Sequence, residues 1–416
     1  MQLKSILNKV HPVKGFVYEA ARWVTVEDGL GMEVDVRPRA STRAMCSGCG
    51  RPRPGYDTLP SRRFAFVPLW GILVWLVYAM RRVQCPNCGI KVERVPWAQG
   101  KHQLCTCYIW FLARWARRLS WKETAEIFRT SWDTVFRAVE AAVLWGRAHL
   151  DLTGLTAIGI DEIMAWRGHK YLTLVYQIDE ERRRLLWVGN ERKAKTLLRF
   201  FRWLGKERTA LLKFVCSDMW KPYLKVITKK AGAAVHVLDR FHIMTHLNKA
   251  VDEVRRKEAA AHRVKGKEVL KRSRWCLLKR PENLTDGQQD KLSDLLKLNL
   301  RSVRAYLLKE QFQFFWSYKT PGWAARYLDQ WCTRAMRSKL VPMKKVAKML
   351  RVHRPLLLNW FRAKGRISAA AVEGFNGKAK LVMKRAYGFR SYRTLEIALY
   401  HTLGDLPEPK STHRFC

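Results

Sequence analysis

The chain has 416 residues, 48% of them hydrophobic, and it carries 79 Lys and Arg against 35 Asp and Glu, a formal net charge of +44. This length allows two to four domains of ordinary size, and the hydrophobic content excludes a disordered chain. The charge indicates DNA or RNA as a partner, because neutralising phosphates releases condensed counterions. On charge alone, the alternative is a packing protein of the ribosomal or chromatin type.

The first ten residues lack the apolar core and the small-residue cleavage site of a secretory signal, so we expect no export. Residues 64–80 are apolar throughout and are flanked by arginines, as a membrane-spanning helix would be. The run is at the short limit for a span, and Pro68 and Gly71 interrupt it. We therefore predict two apolar strands with a turn at residues 68–71, and no membrane association.

Two Cys-x-x-Cys pairs flank this run, Cys46 with Cys49 and Cys85 with Cys88. Four thiolates in two such pairs are typical of a structural zinc site. A membrane-spanning helix between the pairs would place them on opposite sides of a bilayer, so the zinc site and the span exclude each other. The alternative is that the thiols are reduced and bind no metal. We predict a Zn²⁺-binding ribbon in a DNA-binding domain of residues 1–100.

Residues 101–150 have the pattern of a helix-turn-helix. Ser120 and Glu123 form a Ser-x-x-Glu capping box that begins one helix, and residues 130–133 offer the N-terminal cap of a second. Two short capped helices this close predict that the second lies in a DNA major groove. Helical bundles that bind no DNA also contain such pairs. The predicted DNA contacts on the second helix are Thr134 and Arg137.

From residue 151 the pattern changes to short apolar runs separated by turns, which predict strands and an α/β fold. The predicted strands are residues 157–160, 171–178, 184–188, 211–216 and 233–238. A helix follows the third and the fourth strand, so the order is that of a ribonuclease-H-like (RNase-H-like) domain, here residues 151–242. Three strands end at an aspartate, namely Asp161, Asp218 and Asp239. Because ligand sites in α/β sheets gather at the carboxyl edge, we expect these carboxylates to converge.

Converging carboxylates predict a site for two Mg²⁺ ions, because Mg²⁺ prefers carboxylate and water oxygens in an octahedral shell. Two ions about 4 Å apart activate a water or a DNA 3′-hydroxyl and stabilise the leaving oxygen. One such site can hydrolyse a strand and later join it elsewhere. Two neighbouring acids have other interpretations. Asp239 could cap the helix that follows it, and Glu162 should point to the opposite side of its strand.

The rest of the chain is predicted to be mainly helical. Residues 243–365 form an all-helical insertion with helices at 243–263, 290–309 and 323–350, residues 366–405 return to the catalytic core, and residues 406–416 are a frayed tail. The insertion is rich in Lys, Arg and Trp, so it could grip DNA or a second subunit, or serve only as scaffold.

A helix at residues 371–386 would be amphipathic. One face carries Glu373, Asn376, Lys380 and Lys384, and an apolar face lies about 100° away. We expect the apolar face to dock on the sheet, so that the polar face points the carboxylate at the metal site and the lysines along DNA. The alternative is an ordinary surface helix whose Glu373 is solvated.

Five motifs in this order resemble those of bacterial insertion-sequence transposases of the ISL3 type, and the resemblance covers nearly the whole chain. The motifs are residues 159–162 (Gly-Ile-Asp-Glu), 168–171 (Gly-His-Lys-Tyr), 217–223 (Ser-Asp-Met-Trp-Lys-Pro-Tyr), 238–242 (Leu-Asp-Arg-Phe-His) and 372–390, from Val-Glu-Gly-Phe-Asn to Lys-Arg-Ala-Tyr-Gly-Phe-Arg. We interpret His169 and His242 as groups that contact DNA or support the site, or as ordinary buried histidines.

The resemblance implies that Asp161, Asp218 and Glu373 form a DDE triad that holds both Mg²⁺ ions. It also implies DNA transposition, in which the protein binds the terminal inverted repeats of its own insertion sequence and then catalyses strand cleavage and strand transfer. The expected partners are double-stranded DNA, as transposon ends and target, and further copies of the chain in a homo-oligomer on that DNA. The expected location is the bacterial cytoplasm, in association with the nucleoid. The DNA contacts expected from the last motif are Asn376, Lys380, Lys384, Arg385 and Arg390.

Three other functions fit parts of this pattern. A zinc and helix-turn-helix regulator would explain residues 1–150 and the charge, but it needs no aspartates at three strand ends. A structure-specific nuclease or resolvase would share the metal site without joining strands. An inactive derivative of a transposase would only bind DNA, and the intact triad argues against it.

Overall fold

The computed structural model describes residues 3–26, 29–100, 102–166, 168, 170–264, 268–363, 370–386 and 388–409. The chain divides into two compact units: unit 1 contains Met1–Asp151 and Val382–Cys416, and unit 2 contains Leu152–Leu381. It combines α-helices with two β-sheets, in agreement with the predicted mixed α/β composition. His169, the predicted boundary at residues 365–366 and the end of the predicted tail lie outside the described residues.

Unit 1 starts with helix α1 (Leu3–Val10) and a five-stranded sheet. The strands are β1 (Phe16–Val26), β2 (Gly29–Pro38), β3 (Gly55–Leu69), β4 (Ile72–Cys85) and β5 (Gly89–Val92). Their order is β1-β2-β4-β3, and β5 pairs with the end of β4. The sequence patterns above do not predict β1 or β2, because buried and exposed residues do not alternate regularly along either strand.

The apolar run at residues 64–80 forms the end of the β3–β4 hairpin, as predicted. Trp70 and Gly71 have positive φ angles of 52° and 78°, which is the backbone of a two-residue hairpin turn that matches the twist of its strands. Alternate side chains of β4 are buried. Among the described residues, no helix is long and apolar enough to cross a membrane.

Three helices follow the sheet: α2 (Thr106–Arg118), α3 (Trp121–Ile127) and α4 (Trp132–Ala148). The Ser120 hydroxyl accepts a hydrogen bond from the Glu123 N–H at 3.2 Å, and the Glu123 carboxylate accepts one from the Ser120 N–H at 2.7 Å. The Ser131 hydroxyl accepts from the Thr134 N–H at 3.1 Å. Both predicted caps are therefore confirmed, and α3 and α4 are the predicted pair of capped helices, although α4 is not short, at 17 residues.

Unit 2 opens with a second five-stranded sheet. Its strands and helices are β6 (Ala157–Trp166), β7 (Lys170–Ile178), β8 (Arg183–Asn190), α5 (Ala194–Leu204), α6 (Lys206–Ala210), β9 (Phe214–Ser217), α7 (Lys221–Lys230) and β10 (Val235–Leu238). The spatial order is β10-β9-β6-β7-β8. β6, β7 and β8 pair antiparallel, whereas β9 is parallel to both β6 and β10. All five predicted strands are present in the predicted chain order.

β6 extends beyond its predicted end at residue 160. It continues to Trp166 because its second half pairs with β7, where Asp161 lies opposite Leu174. The parallel partner β9 pairs with β6 only as far as Gly159. Asp161 therefore lies inside a strand, just beyond the end of the parallel pairing.

The insertion is all-helical where the structure describes it. Its helices are α8 (Arg240–Val264), α9 (Arg274–Leu278), α10 (Asp286–Leu296), α11 (Arg301–Gln313), α12 (Pro321–Arg337), α13 (Val341–Val352) and α14 (Arg354–Arg362). The predictions of single helices at 290–309 and 323–350 are wrong, since each range contains two helices. Lys339 has a positive φ of 61°, and Pro342 lies in the first turn of α13, where its missing N–H is tolerated.

Two further helices end the described chain: α15 (Ala370–Arg385) and α16 (Tyr392–Leu403). α15 confirms the helix predicted at 371–386. Gly159 of β6 lies beneath it, and a Cβ at this position would be 2.4 Å from Val372 Cγ2. The missing side chain of Gly159 therefore allows α15 to approach the sheet closely.

The chain does not fray immediately after α16, which differs from the tail predicted from residue 406. Leu406 is buried. The Glu408 carboxylate binds Arg114 at 2.9 Å and Arg117 at 3.1 Å. The ion pairs of Glu408 with these two arginines of α2 therefore anchor the first residues of the segment that was predicted to be a frayed tail.

Candidate metal centres

The two Cys-x-x-Cys pairs meet in unit 1, so the predicted cluster of four thiols is confirmed. Cys85 ends β4, and Cys88 lies in the tight turn that leads to β5. The four Sγ atoms lie within 4.8 Å of one another, and the Sγ atoms of Cys49 and Cys85 are 3.7 Å apart. Tetrahedral zinc with bonds of about 2.3 Å requires sulfur separations of roughly 3.8 Å, so the thiols suit Zn²⁺.

Hydrogen bonds favour the thiolate form of two cysteines in this cluster, Cys49 and Cys85. The Arg51 backbone lowers the pKa of Cys49. Burial raises the pKa of Cys85, but hydrogen bonds from the backbone of Asn87 and Cys88, together with those to Cys49 and Cys46, lower the pKa to about 6. Burial and the neighbouring Cys85 raise the pKa of Cys88 to about 12. Four thiolates this close need a cation, because like charges oppose one another's ionisation.

In unit 2, three aspartates lie at one level of the sheet. The register of β6, β9 and β10 places Asp161, Asp218 and Asp239 side by side, just beyond the parallel pairing. Asp161 and Asp239 are buried, at 8% and 3% exposure. Ligand atoms from Asp161, Asp239 and His242 lie within 4.8 Å of one another. The expected convergence is therefore confirmed for Asp161 and Asp239, and the group gains a histidine.

A side chain from α15 holds Asp161. Asn376 Nδ2 donates to Asp161 Oδ2 at 2.5 Å, and Asn376 Oδ1 accepts from the Tyr176 hydroxyl at 2.8 Å. Asp161 Oδ1 accepts from the Glu162 N–H at 2.8 Å. Asn376 is 8% exposed, although the helix pattern assigned it to the side that faces DNA. Both ends of its amide bond to the sheet instead, because the face of α15 that packs on the sheet includes this position.

Glu373 on α15 faces the same group of charges. Burial is the largest cause of its raised pKa, the carboxylates of Asp239 and Asp161 add to it, and His242 lowers it. Burial also raises the pKa of Asp161, against the opposing effect of His242. Neighbouring acids that raise one another's pKa are a natural place for a cation. Glu373 is not in the group of ligand atoms that lie within 4.8 Å of one another, so the expectation that α15 points its carboxylate at the metal site stays a prediction.

Asp218 bonds to a different set of groups. Arg192 donates to Asp218 Oδ2 at 2.8 Å and to Glu162 Oε1 at 3.0 Å, and its guanidinium lies 4.6 Å from the centre of the Trp220 ring. The backbone N–H of Trp220 donates to Asp218 Oδ1 at 3.0 Å. Burial and the Asp218 carboxylate raise the pKa of Glu162 to about 8, against the effect of Arg192. Asp218 is not in the group of ligand atoms that lie within 4.8 Å of one another.

Asp239 caps a helix and also lies beside Asp161 and His242. Its Oδ1 accepts from the Phe241 N–H at 2.8 Å, which caps the start of α8, and its Oδ2 lies 2.8 Å from His242 Nδ1. The bond to Asp239 raises the pKa of His242 to about 9, so the ring carries a positive charge at neutral pH. The capping role is therefore confirmed, together with a place beside Asp161.

Arg192 is not among the site residues predicted from the sequence. β8 runs in the same direction as β6, so the residues that follow β8 lie at the sheet edge that carries Asp161. The order of the strands could have shown this position. In a chain with 79 Lys and Arg, however, a single arginine after a strand gives no signal of its own.

The remaining predicted DNA contacts lie at partly or fully exposed positions. Arg137 is 65% exposed and pairs with Asp133 at 2.7 Å. The Thr134 hydroxyl lies 2.8 Å from the hydroxyl of Ser131, within the cap of α4. The exposed residues of the last motif are Lys380, Lys384, Arg385 and Arg390.

Comparison with known proteins agrees with this geometry. The model of a family described as transposase, the DDE transposases of the ISL3 type, matches residues 158–399. The transposase for insertion sequence element IS1557 of Mycobacterium tuberculosis is 31% identical over 413 residues, which cover 93% of this chain and 92% of the relative. The transposase for insertion sequence element IS1001 of Bordetella parapertussis is 28% identical over 386 residues, which cover 91% and 92%.

Proposed function

The chain belongs to the ISL3-type family of DDE transposases, and from this premise we propose how its carboxylate cluster acts on DNA. As a transposase it is an enzyme that acts on DNA. We propose that it binds the terminal inverted repeats of its insertion sequence, cleaves DNA at those ends and transfers them to a target. The bond between Asn376 and Asp161 carries this proposal, because it joins the last motif to the first across 215 residues of sequence.

The topology of unit 2 supports an RNase-H-like core. Three antiparallel strands are followed by two parallel strands on the other side of β6, with helices between β8 and β9 and between β9 and β10. This arrangement puts the carboxyl ends of β6, β9 and β10 at one edge. In the proposed core, the long helical insertion separates these strands from α15, which supplies the last acidic residue.

We assign the DDE triad to Asp161, Asp218 and Glu373, with two Mg²⁺ ions as cofactors. The carboxylates at the sheet edge and on α15 are oxygen donors of the kind Mg²⁺ prefers. When bound, two such ions supply Lewis-acid activation of the attacking oxygen and charge stabilisation at the leaving oxygen. Strand register, which places Asp161 and Asp218 at the same level of the sheet, supports this assignment, as does the effect of the Asp161 carboxylate on the pKa of Glu373.

Two polar residues orient the proposed triad. Asn376 donates to one oxygen of Asp161, so it fixes the carboxylate plane instead of contacting DNA as the helix pattern suggested. Arg192 fixes Asp218 from the other side and is itself held by Glu162 and Trp220. Partners of this kind change metal affinity or activity by about 10- to 100-fold when they are removed.

DNA binding is proposed for several basic surfaces. The net charge of +44 provides non-specific affinity, and α4 would read the terminal repeats through Thr134 and Arg137. Lys380, Lys384, Arg385 and Arg390 would follow the DNA backbone. Zn²⁺ bound to the four thiols would stabilise the β4–β5 turn. Several copies of the chain would assemble on the paired transposon ends.

The test uses the full chain and an end-labelled linear duplex that carries the sequences flanking its gene. With Mg²⁺ we expect nicking at the element boundaries and joining to a second duplex, and EDTA should abolish both reactions. Asp218→Ala should bind the duplex without cutting it, whereas Asp294→Ala, at an exposed position on α10, should behave like the wild type.

The other outcomes of this assay identify the alternatives. Cleavage without joining would indicate a nuclease or resolvase. If the wild type bound the duplex but neither nicked nor joined it, the chain would be a regulator or an inactive derivative. Replacing Mg²⁺ by Ca²⁺ should preserve binding with little chemistry, which separates metal-assisted assembly from the reaction itself.

A further inference from the structure

We propose that Asp239 is a fourth carboxylate ligand of the metal centre and that Asp161 and Asp239 together bind the first divalent ion before DNA arrives. This inference rests on the proposed function, because it assumes that the cluster in unit 2 holds metal. It goes beyond the triad by assigning the ion-free chain a first binding site that does not depend on Asp218.

The position of Asp239 is fixed by strand pairing. Leu238 pairs with Ser217 in the parallel β9–β10 ladder, and the Asp239 N–H continues that ladder by donating to the Ser217 carbonyl at 2.9 Å. Asp239 is therefore held level with the neighbouring strand ends. Its carboxylate lies within 4.8 Å of a ligand atom of Asp161, and both residues are buried.

Capping alone does not account for this placement. A cap uses one carboxylate oxygen of Asp239, and the bond to His242 occupies a single lone pair of the other. Each carboxylate oxygen offers about two acceptor positions, so both retain capacity for a cation. A helix cap does not require a second buried carboxylate nearby, and here two carboxylates share the single positive charge that His242 can supply.

The partners of Asp218 explain why it would not be the first ligand. Arg192 binds one oxygen of Asp218 at 2.8 Å and also pairs with Glu162, and the backbone N–H of Trp220 occupies the other oxygen of Asp218. Among the described residues, the ion pairs give Asp239 only His242 and give Asp161 no partner. Asp161 and Asp239 are therefore two carboxylates whose oxygens lie close enough to share one ion, whereas Asp218 is outside that group of ligand atoms.

The experiment is a Mn²⁺ titration of the full chain without DNA, with free Mn²⁺ measured by electron paramagnetic resonance. We expect Asp161→Asn and Asp239→Asn to weaken the tightest Mn²⁺ site by about tenfold or more, as loss of a ligand should. Asp218→Asn should change it by less than about threefold, and the exposed control Asp294→Asn should leave it unchanged. Wild-type affinity in Asp239→Asn would overturn the inference, as would an equal loss in Asp218→Asn.

Asparagine is as good a helix cap as aspartate, so Asp239→Asn should keep the start of α8 and fold normally. If the variant does not fold, the inference can be tested on the wild type by adding Fe²⁺ and ascorbate. The bound Fe²⁺ then cleaves the protein backbone near the metal site, and the positions of the cuts identify the ligands. Cuts beside both residues 161 and 239 support the inference, and cuts beside 161 and 218 with the segment at 239 intact overturn it.

DNA cleavage in the same preparations separates the two proposals. If the wild type cuts and joins DNA while Asp161→Asn does not, the proposed function holds whatever the Mn²⁺ affinity of Asp239→Asn. If no preparation cuts DNA but Mn²⁺ binds through Asp161 and Asp239, the metal site stands and the proposed function fails.

Discussion

The four thiols of unit 1 and the carboxylates of unit 2 are both clusters of potential metal ligands, but they are built in opposite ways. The thiols come from two Cys-x-x-Cys turns, and the β4–β5 turn fixes the second pair locally. The carboxylates come from strand ends that are far apart in sequence. Strand pairing brings these ends to one level of the sheet, and the packing of α15 adds the bond from Asn376 to Asp161. One cluster depends on local turns and the other on the whole of its fold.

This difference has a functional consequence. The thiolate cluster provides four ligands for one tetrahedral ion, which is the arrangement of a structural site. The carboxylates keep lone pairs for water and substrate, and partners such as Asn376 and Arg192 orient them. We therefore expect thiol substitutions to act on folding and carboxylate substitutions to act on the reaction, and the following predictions test that separation.

The largest effect should come from Glu373→Gln, which removes a negative charge from the proposed catalytic centre without changing side-chain size. A metal ligand is worth several kcal/mol to the transition state, so cleavage should fall about 10³-fold or more. Single-turnover cleavage of labelled duplex measures this. DNA affinity and thermal unfolding should stay as in the wild type. Glu180→Gln, at an exposed position, is the matched control, and a loss of less than tenfold would remove Glu373 from the triad.

Cys46→Ser should act on stability instead. Structural zinc contributes folding free energy directly, so the variant should lose its bound zinc and unfold earlier, by roughly 2–4 °C for each kcal/mol lost. Metal analysis by mass spectrometry and calorimetry measure the two effects. Cys107→Ser, in the same unit but outside the four-thiol cluster, should keep its zinc. Retention of zinc in Cys46→Ser would contradict the assignment.

Asn376→Ala removes the hydrogen-bond partner of a carboxylate and not the carboxylate itself. Cleavage should fall about 10- to 100-fold at saturating DNA, with DNA affinity unchanged. Lys380→Ala should do the reverse by weakening DNA binding and its salt dependence while cleavage at saturation remains. If Asn376→Ala mainly weakened DNA binding, the buried bond to Asp161 would not describe its role.

Gly159→Ala tests the approach of α15 to the sheet. The added methyl group would lie 2.4 Å from Val372 Cγ2, and overpacking of this kind destabilises a protein by about 1–3 kcal/mol. Because Val372 precedes Glu373, cleavage should fall as well, whereas bound zinc should not change. Gly287→Ala, where a Cβ would meet no atom within 4 Å, should be neutral or stabilising. Unchanged cleavage and stability in Gly159→Ala would show that α15 packs differently.

The smallest effect should come from Ser120→Ala, which removes the cap of α3. The loss should be about 1 kcal/mol of stability in unit 1, measured by denaturant unfolding, with cleavage at saturating DNA unchanged. Lys122→Ala, a neighbouring exposed substitution, serves as the control and should be close to neutral. An effect on cleavage as large as that of Asn376→Ala would mean that α3 contributes to the reaction.

Features that depend on short-range chemistry could be predicted from the sequence. The cysteine spacing predicted the thiol cluster, the capping residues predicted the starts of α3 and α4, and Pro68 with Gly71 predicted the hairpin in place of a membrane span. The chain order of the five unit 2 strands was also predictable, because apolar runs and turns are local signals.

Contacts between residues that are far apart in sequence could not be predicted from local patterns, because they depend on the tertiary structure. The order β10-β9-β6-β7-β8 places Asp239 beside Asp161, and the packing of α15 turns Asn376 inward. Arg192 finds Asp218 because β8 and β6 end at the same edge. Each of these contacts depends on strand register and helix rotation, which are fixed by burial of the whole core and not by the residues near each side chain.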